Sequence, residues 1–86
     1  MIFERHMHEL SMVKELFNIL KKQAKLHDVK KVTKVKLSMG EYSTIEPSHL
    51  KSCFEMLAKG SIFANAELEI EKTAGDDVGV VGMEGK

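Results

Sequence analysis

The chain has 86 residues, which is enough for one small domain built around a single hydrophobic core. Its 13 basic and 13 acidic side chains cancel, so net charge provides no attraction for nucleic acid or an anionic membrane. The single cysteine, Cys53, excludes an intramolecular disulfide framework and an all-cysteine zinc site within one chain. No apolar run reaches the ~20 residues that span a bilayer, and residues 1–6 are too short and too charged for a signal peptide. A reducing, cytoplasmic setting fits the single cysteine best. We also expect the protein to associate with itself or with a partner, because so small a core is only marginally stable alone.

The first predicted element is an amphipathic helix over residues 9–26. Its apolar residues recur at three- and four-residue spacing, which is the period of a helix that buries one stripe: Leu10, Val13, Leu16, Phe17, Leu20 and Ala24. Ile19 lies off this stripe, where it either widens the buried face or meets another subunit. Several lysines cluster in and after this helix, but no aromatic residues accompany them, so a solvated face is favoured over an RNA-binding patch.

Alternating apolar and polar residues predict two strands, one on each side of a second helix. The first strand covers residues 31–39. Its predicted buried face consists of Thr33, Val35, Leu37 and Met39, which alternate with Lys34, Lys36 and Ser38 on the charged face. The second helix begins at Pro47 and is followed by a connection over residues 61–65. Its apolar stripe consists of Leu50, Cys53, Phe54, Leu57 and Ala58. The second strand covers residues 66–71. Residues 78–83 either return as a hairpin strand or fray, because two glycines interrupt them.

The expected fold class is therefore α+β, in the order helix, strand, helix, strand, strand. Two helices pack on one face of a three-stranded mixed sheet, and the opposite face carries lysine and glutamate side chains exposed to solvent. A strand, helix, strand succession normally forms a right-handed parallel crossover, so the first two strands should be parallel.

His8 is the sharpest candidate for chemistry. Nickel(II) and copper(II) favour square-planar nitrogen sites, and a histidine one residue after a free chain start can offer its imidazole, a deprotonated amide and the terminal amine together. That geometry requires a chain that starts at Met7, whereas the amine of this chain belongs to Met1. With the extension retained, His6, His8 and Glu9 could still bind a divalent metal with less geometric selectivity. The alternative is that His8 is an exposed residue near a helix start, since single histidines more often titrate than bind metal.

Two acids in the loop after the first strand are further candidates. Glu41 and Glu46 lie at the carboxyl end of that strand, where loops of α/β units commonly carry function. The alternatives are a turn residue at Glu41 and a helix-start acid at Glu46. Cys53 lies on an apolar stripe, which favours a small buried hydrophobic residue over a nucleophile. Spacing makes no positive case for an enzyme.

Five segments in a fixed order carry a family resemblance: Met-His-Glu-Leu-Ser at residues 7–11, residues 30–35, Met-Gly-Glu-Tyr-Ser at residues 39–43, residues 50–60, and Ala-Glu-Leu-Glu-Ile-Glu at residues 66–71. In these segments the chain resembles the HypA/HybF family of hydrogenase nickel-incorporation proteins. The resemblance extends without a gap from residue 7 to about residue 73. The combination in this order is specific, although each piece alone is weak.

This resemblance implies a cytoplasmic α/β nickel-binding domain, over residues 7–86, that follows an N-terminal extension of residues 1–6. By resemblance, His8 is the nickel(II) ligand, with Glu9 and Glu46 contributing and with Met7, His6 and Glu41 as additional candidates. The implied partners are a maturation GTPase and the hydrogenase large-subunit precursor, or urease in some organisms, and the chain could form a homodimer. Neither nucleic acid nor a membrane is an expected partner.

The chain departs from the family pattern at two places. The family normally carries a zinc ribbon with two Cys-x-x-Cys pairs after the second strand, whereas here the chain continues directly through residues 73–76; structural zinc is therefore not expected. The second departure is the six-residue extension, which separates the terminal amine from His8. The alternative function is accordingly a ribbonless relative that acts as a non-metal interaction module.

Overall fold

The computed structural model describes the backbone of residues 2–86 and the side chains of residues 11–86. Its elements, in chain order, are α1 (Ile2–Leu26), β1 (Val32–Gly40), α2 (Pro47–Ala58), β2 (Glu67–Thr73) and β3 (Val78–Gly85). The strands form one sheet in the order β2-β1-β3, with β1 parallel to β2 and antiparallel to β3. The predicted α+β fold class, with two helices and a three-stranded mixed sheet, is confirmed.

The first helix begins earlier than its predicted start at residue 9. Helix α1 starts at Ile2, because Phe3, Met7 and Leu10 continue the four- and three-residue apolar spacing upstream. At its other end, Asp28 adopts a left-handed backbone with a φ of 54°. The N–H of Val29 donates to the carbonyl of Ala24 at 2.8 Å, which completes a six-residue capping turn.

Strand β1 is the centre of the sheet and of the core. Its residues Val35, Leu37 and Met39 are buried as predicted, but Thr33 is exposed. The prediction for Thr33 was wrong because the β1–β3 register shifts between Val32 and Lys34. A bulge at this point takes Thr33 out of the alternation, and Val32 is buried in its place.

The third strand exists, so the frayed-tail alternative was wrong, but it does not form the expected hairpin with β2. Residues 74–77 cross the end of β1, and β3 then pairs with the opposite side of β1. The crossing is held by the N–H of Gly40, which donates to the carbonyl of Asp77 at 2.8 Å. A Cβ at Gly40 would lie 2.7 Å from the backbone nitrogen of Asp76 and closer still to the carbonyl of Gly75. Glycine at position 40 therefore allows the chain to cross here.

Three aromatic rings close the core between the helices and the sheet. The ring of Phe17 lies 5.7 Å from that of Phe54 and 5.0 Å from that of Phe63, measured between centroids. Phe63 is 1% exposed, although residues 61–65 were predicted only as a connection. Cys53 is half-buried and packs against this core, consistent with its predicted role as a small hydrophobic residue. No helix in the described chain combines the length and apolar character needed to cross a bilayer.

Candidate functional site

The predicted metal ligands nearest the chain start lie outside the side chains that the structure describes. These are His6, Met7, His8 and Glu9. Their backbone belongs to α1, and the first described side chain after them that packs against the core is that of the partly buried Met12. One turn of helix is about 3.6 residues and ~5.4 Å long, so Met12 lies about one turn after His8. The surroundings of Met12 therefore show which part of the molecule is next to that turn of α1.

Met12 lies on a shallow groove that joins three separate segments of the chain. The groove has a volume of about 200 Å³ and is lined by α1, the β1–α2 loop and the β2–β3 connection. Its residues are Met12, Tyr42, Ser43, Thr44, Ile45, Asp76 and Val78. The two predicted loop acids, Glu41 and Glu46, immediately precede and follow the loop residues of this groove. The fold thus brings the loop with both acids to the same end of the molecule as the turn of α1 that contains His8.

Backbone hydrogen bonds hold the β1–α2 loop in place. The N–H of Glu41 donates to the carbonyl of Thr73 at 2.8 Å, and the N–H of Tyr42 donates to the carbonyl of Gly75 at 2.9 Å. Ile45 is 9% exposed and anchors the loop in the core. The loop is therefore tied to the β2–β3 connection by its first residues and to the core by Ile45.

Glu46 occupies the N-cap position of α2 but does not cap it. Its backbone is extended, with φ −79° and ψ 140°, and its side chain makes no capping hydrogen bond. The carboxylate is exposed, and the positive end of the α2 dipole favours a negative charge there. Glu41 is likewise exposed and lies in the turn that follows β1. Both carboxylates are accessible to a ligand from outside.

The described side chains do not form a complete metal site. Among residues 11–86, no three His, Cys, Asp or Glu side chains come together in a group that could hold a metal ion. Glu41 and Glu46 therefore form no such group with other described side chains. The sequence alone did not identify Met12, Tyr42 and Asp76 as neighbours of the site. The local feature that could have pointed to this region is the acidic pair at residues 76–77.

The lysines of β1 are neutralised by glutamates on β2. Lys34 Nζ lies 3.0 Å from the carboxylate of Glu69, and Lys36 Nζ lies 4.0 Å from that of Glu71. The hydrogen bond and the charge of Glu69 raise the pKa of Lys34, and the same contact with Lys34 lowers the pKa of Glu69. This face of the sheet is the predicted mixed lysine and glutamate surface, whose cancelling charges do not favour a polyanion.

Comparison with known proteins identifies one family over most of the chain. A sequence model described as "Hydrogenase/urease nickel incorporation, metallochaperone, hypA" matches residues 7–77. The hydrogenase maturation factor HypA of Wolinella succinogenes is 45% identical over 65 residues, covering 76% of this chain and 55% of that protein. HypA of Methanosarcina mazei is also 45% identical over 65 residues, covering 76% and 47% respectively. HypA of Escherichia coli (strain K12) is 33% identical over 66 residues, covering 77% and 57%. The chain thus spans about half the length of the relatives that it matches.

Two solved structures share the fold. The solution structure of the Ni metallochaperone HypA from Helicobacter pylori superposes with a TM-score of 0.69 at 24% identity, covering 86% of this chain and 70% of that one. A solution structure of HypA protein superposes with a TM-score of 0.78 at 22% identity, covering 93% and 97%. At these identities the superpositions support the fold alone.

Proposed function

This chain belongs to the HypA family of hydrogenase/urease nickel-incorporation proteins, and on that premise we propose that it binds nickel(II) and delivers it during hydrogenase maturation. The observation that carries the proposal is the family match over residues 7–77. This match begins at Met7, the residue before the candidate ligand His8, and it includes the loop with Glu41 and Glu46. The match favours nickel handling over the alternative of a non-metal interaction module.

The nickel site in this proposal combines the chain start with the β1–α2 loop. His8 is the principal ligand and Glu9 its neighbour, while Glu46 contributes from the N-terminus of α2. His6, Met7 and Glu41 are the additional candidates. The support from the described residues is the position of Met12, which lies on one groove with the loop residues that Glu41 and Glu46 flank. In this proposal the exposed carboxylates that flank this loop complete a site that the described side chains alone do not form.

The N-terminal extension determines which nickel chemistry is available. A square-planar chelate through the terminal amine, a backbone amide and the imidazole requires that Met7 be the first residue. Within α1, the amide of His8 belongs to the helical hydrogen-bond pattern, so the same chelate would need that turn to unwind. We therefore propose that the tight-binding form begins at Met7, and that residues 1–6 weaken and broaden metal selectivity when they are present.

The second strand leads directly into the third in this chain, without an intervening pair of Cys-x-x-Cys motifs. We propose that residues 7–86 work as a nickel-binding domain without structural zinc. The proposed partners are a maturation GTPase and the hydrogenase large-subunit precursor, with urease as an alternative client, in the cytoplasm. The domain acts in this proposal as a carrier and not as an enzyme.

Nickel titration tests the proposal. We expect protein that begins at Met7 to give a one-site calorimetric isotherm and a square-planar absorption band, and protein that begins at Met1 to bind more weakly. His8→Ala should abolish the band, whereas His27→Ala, a change just after the last residue of α1, should leave it intact. If His8→Ala changes neither the isotherm nor the band, nickel binding at the chain start is wrong.

A second pair of variants tests the loop acid. Glu46→Gln removes the charge but keeps the shape of the side chain, and it should weaken nickel binding by about tenfold, the usual lower range for losing a group that supports a metal site. The matched control is Glu55→Gln, which changes another exposed glutamate on α2. Equal affinities of the two variants would remove Glu46 from the site and leave His8 to be judged separately.

A further inference from the structure

The charged side chains of this chain are unevenly distributed, although they sum to zero. Strands β1 and β2 are parallel, so the segments that precede them lie at one end of the sheet and the segments that follow them lie at the other. The second end contains the groove that Met12 lines. At the first end, residues 20–31 carry Asp28 as their one acid, and their lysines are Lys21, Lys22, Lys25, Lys30 and Lys31. The first end of the sheet is therefore basic.

A groove at this basic end, hereafter the lysine groove, lies between the last turns of α1 and the segments that lead into β1 and β2. It has a volume of about 470 Å³. Its charged lining residues are Lys21, Lys25, Asp28 and Lys30, and all four are exposed. Its apolar lining includes Ala24 and Phe63, which are buried, and Ile62, which is 38% exposed. The groove thus combines an apolar surface with a positively charged margin.

The positive charge of the lysine groove is not neutralised within the described chain. The lysines of β1 face glutamates of β2, whereas Lys21 and Lys25 form no ion pair with any side chain of residues 11–86. Lys21 Nζ lies 5.2 Å from the centre of the Phe17 ring. Lys30 Nζ lies 3.2 Å from the carboxylate of Asp28, but the two side chains are 81% and 87% exposed, so this contact is weak. The groove therefore retains positive charge for an external ligand.

The shape and chemistry of the lysine groove favour an acidic peptide as its ligand. The groove is open to solvent, whereas a small-molecule site encloses most of its ligand. Proteins that bind single-stranded nucleic acid stack its bases on exposed aromatic rings, and the ring that lines this groove, Phe63, is 1% exposed. A concave apolar surface accepts an aliphatic side chain, and the surrounding lysines are complementary to carboxylates on either side of that side chain.

We propose that the lysine groove binds an acidic segment of a partner protein. A leucine or another aliphatic side chain of that segment packs against Ile62, and carboxylates on either side of it pair with Lys21, Lys25 and Lys30. The lysine groove and the groove that Met12 lines lie at opposite ends of the parallel strands. A partner bound at the basic end therefore leaves the candidate nickel site uncovered, and its binding requires no metal.

Fluorescence anisotropy with a labelled acidic peptide, Glu-Asp-Glu-Leu-Glu-Asp-Leu-Glu-Glu, tests the proposal on the metal-free full chain. We expect saturable binding that weakens as the salt concentration rises, because exposed charges are screened. The double variant Lys21→Glu/Lys25→Glu should bind at least about tenfold more weakly, since two attractive contacts become repulsive. The control is Lys14→Glu/Lys51→Glu, which has the same net charge but changes exposed lysines outside the groove. Circular dichroism verifies that both variants are folded.

The absence of saturable binding at millimolar peptide overturns the proposal. An equal loss of affinity in the two double variants also overturns it, because net charge alone would then explain the binding.

The aliphatic contact is tested with Ile62→Ser and with a second peptide in which serine replaces both leucines. The serine peptide should bind the wild type about tenfold more weakly, because the apolar contact is lost. Ile62→Ser should weaken the binding of the leucine peptide and leave that of the serine peptide unchanged. The matched control is Met56→Ser, at a residue of α2 that is 57% exposed and lies outside the groove. Equal affinities of the two peptides for the wild type would refute the aliphatic contact.

Two competitors distinguish a peptide from other anionic partners. Phosphatidylserine vesicles and single-stranded RNA should displace the labelled peptide poorly, because the groove is concave and exposes no aromatic ring. If either binds more tightly than the peptide and loses its binding in the Lys21→Glu/Lys25→Glu variant, the groove serves that ligand and the peptide proposal is wrong. Nickel is absent from these experiments, so their outcome is independent of the nickel site proposed at the other end of the sheet.

Discussion

Replacement of Gly40 by alanine is the most direct test of how the site is assembled. The added Cβ would lie 2.7 Å from the backbone nitrogen of Asp76 and closer to the carbonyl of Gly75. Because these atoms are backbone, the β2–β3 connection must move as a unit. That movement breaks the hydrogen bonds from Gly40 to Asp77, 2.8 Å, and from Tyr42 to Gly75, 2.9 Å.

The expected loss of stability combines the two broken hydrogen bonds with the steric crowding around the added Cβ. Each hydrogen bond contributes about 1 kcal/mol net, and overpacking adds about 1 kcal/mol or more. We therefore expect Gly40→Ala to lower the free energy of unfolding by about 3 kcal/mol, a large share of the total for a small domain. The melting temperature of a domain of this size falls by about 4–8 °C for each kcal/mol of lost stability, so we expect it to fall by roughly 10 °C or more.

Urea unfolding monitored by circular dichroism measures this change. The matched control is Gly82→Ala, because Gly82 lies in β3 with no atom within 4 Å of an added Cβ. We expect that variant to remain within about 0.5 kcal/mol of the wild type. Equal stability of the two variants would refute the conclusion that close backbone approach at Gly40 holds the β1–α2 loop in place.

Three other changes test separate parts of the fold. Asp28→Gly should stabilise the protein by about 0.5 kcal/mol in urea unfolding, because Asp28 adopts a left-handed backbone that glycine accepts without strain. Phe63→Ala should cost about 3–5 kcal/mol, since the ring is 1% exposed and contacts Phe17; a loss below 1 kcal/mol would contradict its place in the core. Glu69→Gln should lower the free energy of unfolding at neutral pH and leave it unchanged in acid. The pKa of Glu69 is lowered by Lys34, so its contribution is present above the ordinary carboxyl pKa and disappears as pH falls through the lowered value. A deficit that persists in acid would contradict an ionic origin.

Much of the fold was predictable because it depends on local periodicity. The apolar stripe of α2 predicted Leu50, Phe54 and Ala58 as buried residues, and all three are buried. The alternation of β1 predicted Val35 and Leu37 as core residues in the same way. A period of 3.6 or 2 residues encodes which side chains of an element face the core, and this information requires no knowledge of the partners.

The exceptions are residues whose environment is set by distant parts of the chain. Thr33 was expected inside, but a change of register against β3 turns it to solvent. Phe63 follows no periodic pattern, yet it closes the core against Phe17 and Phe54. In the candidate site, the sequence identified the acids of the β1–α2 loop, while the proximity of Met12 and Asp76 to that loop emerged only with the fold.

The sequence by itself determined the order of helices and strands, the buried stripe of α2, most of the buried face of β1 and the family to which the chain belongs. It also singled out His8 through the motif at residues 7–11, whose role as a nickel ligand stays a prediction. The tertiary structure decided where β3 lies. Strands β1 and β2 are parallel and end at the same edge of the sheet, so a strand that follows β2 can turn back and pair with either of them. Here the connection crosses β1 at Gly40, where the absence of a side chain permits close backbone contact. That crossing places Asp76 on the groove that Met12 also lines and leaves Val81 exposed at an edge of the sheet, and local pattern alone specifies neither position.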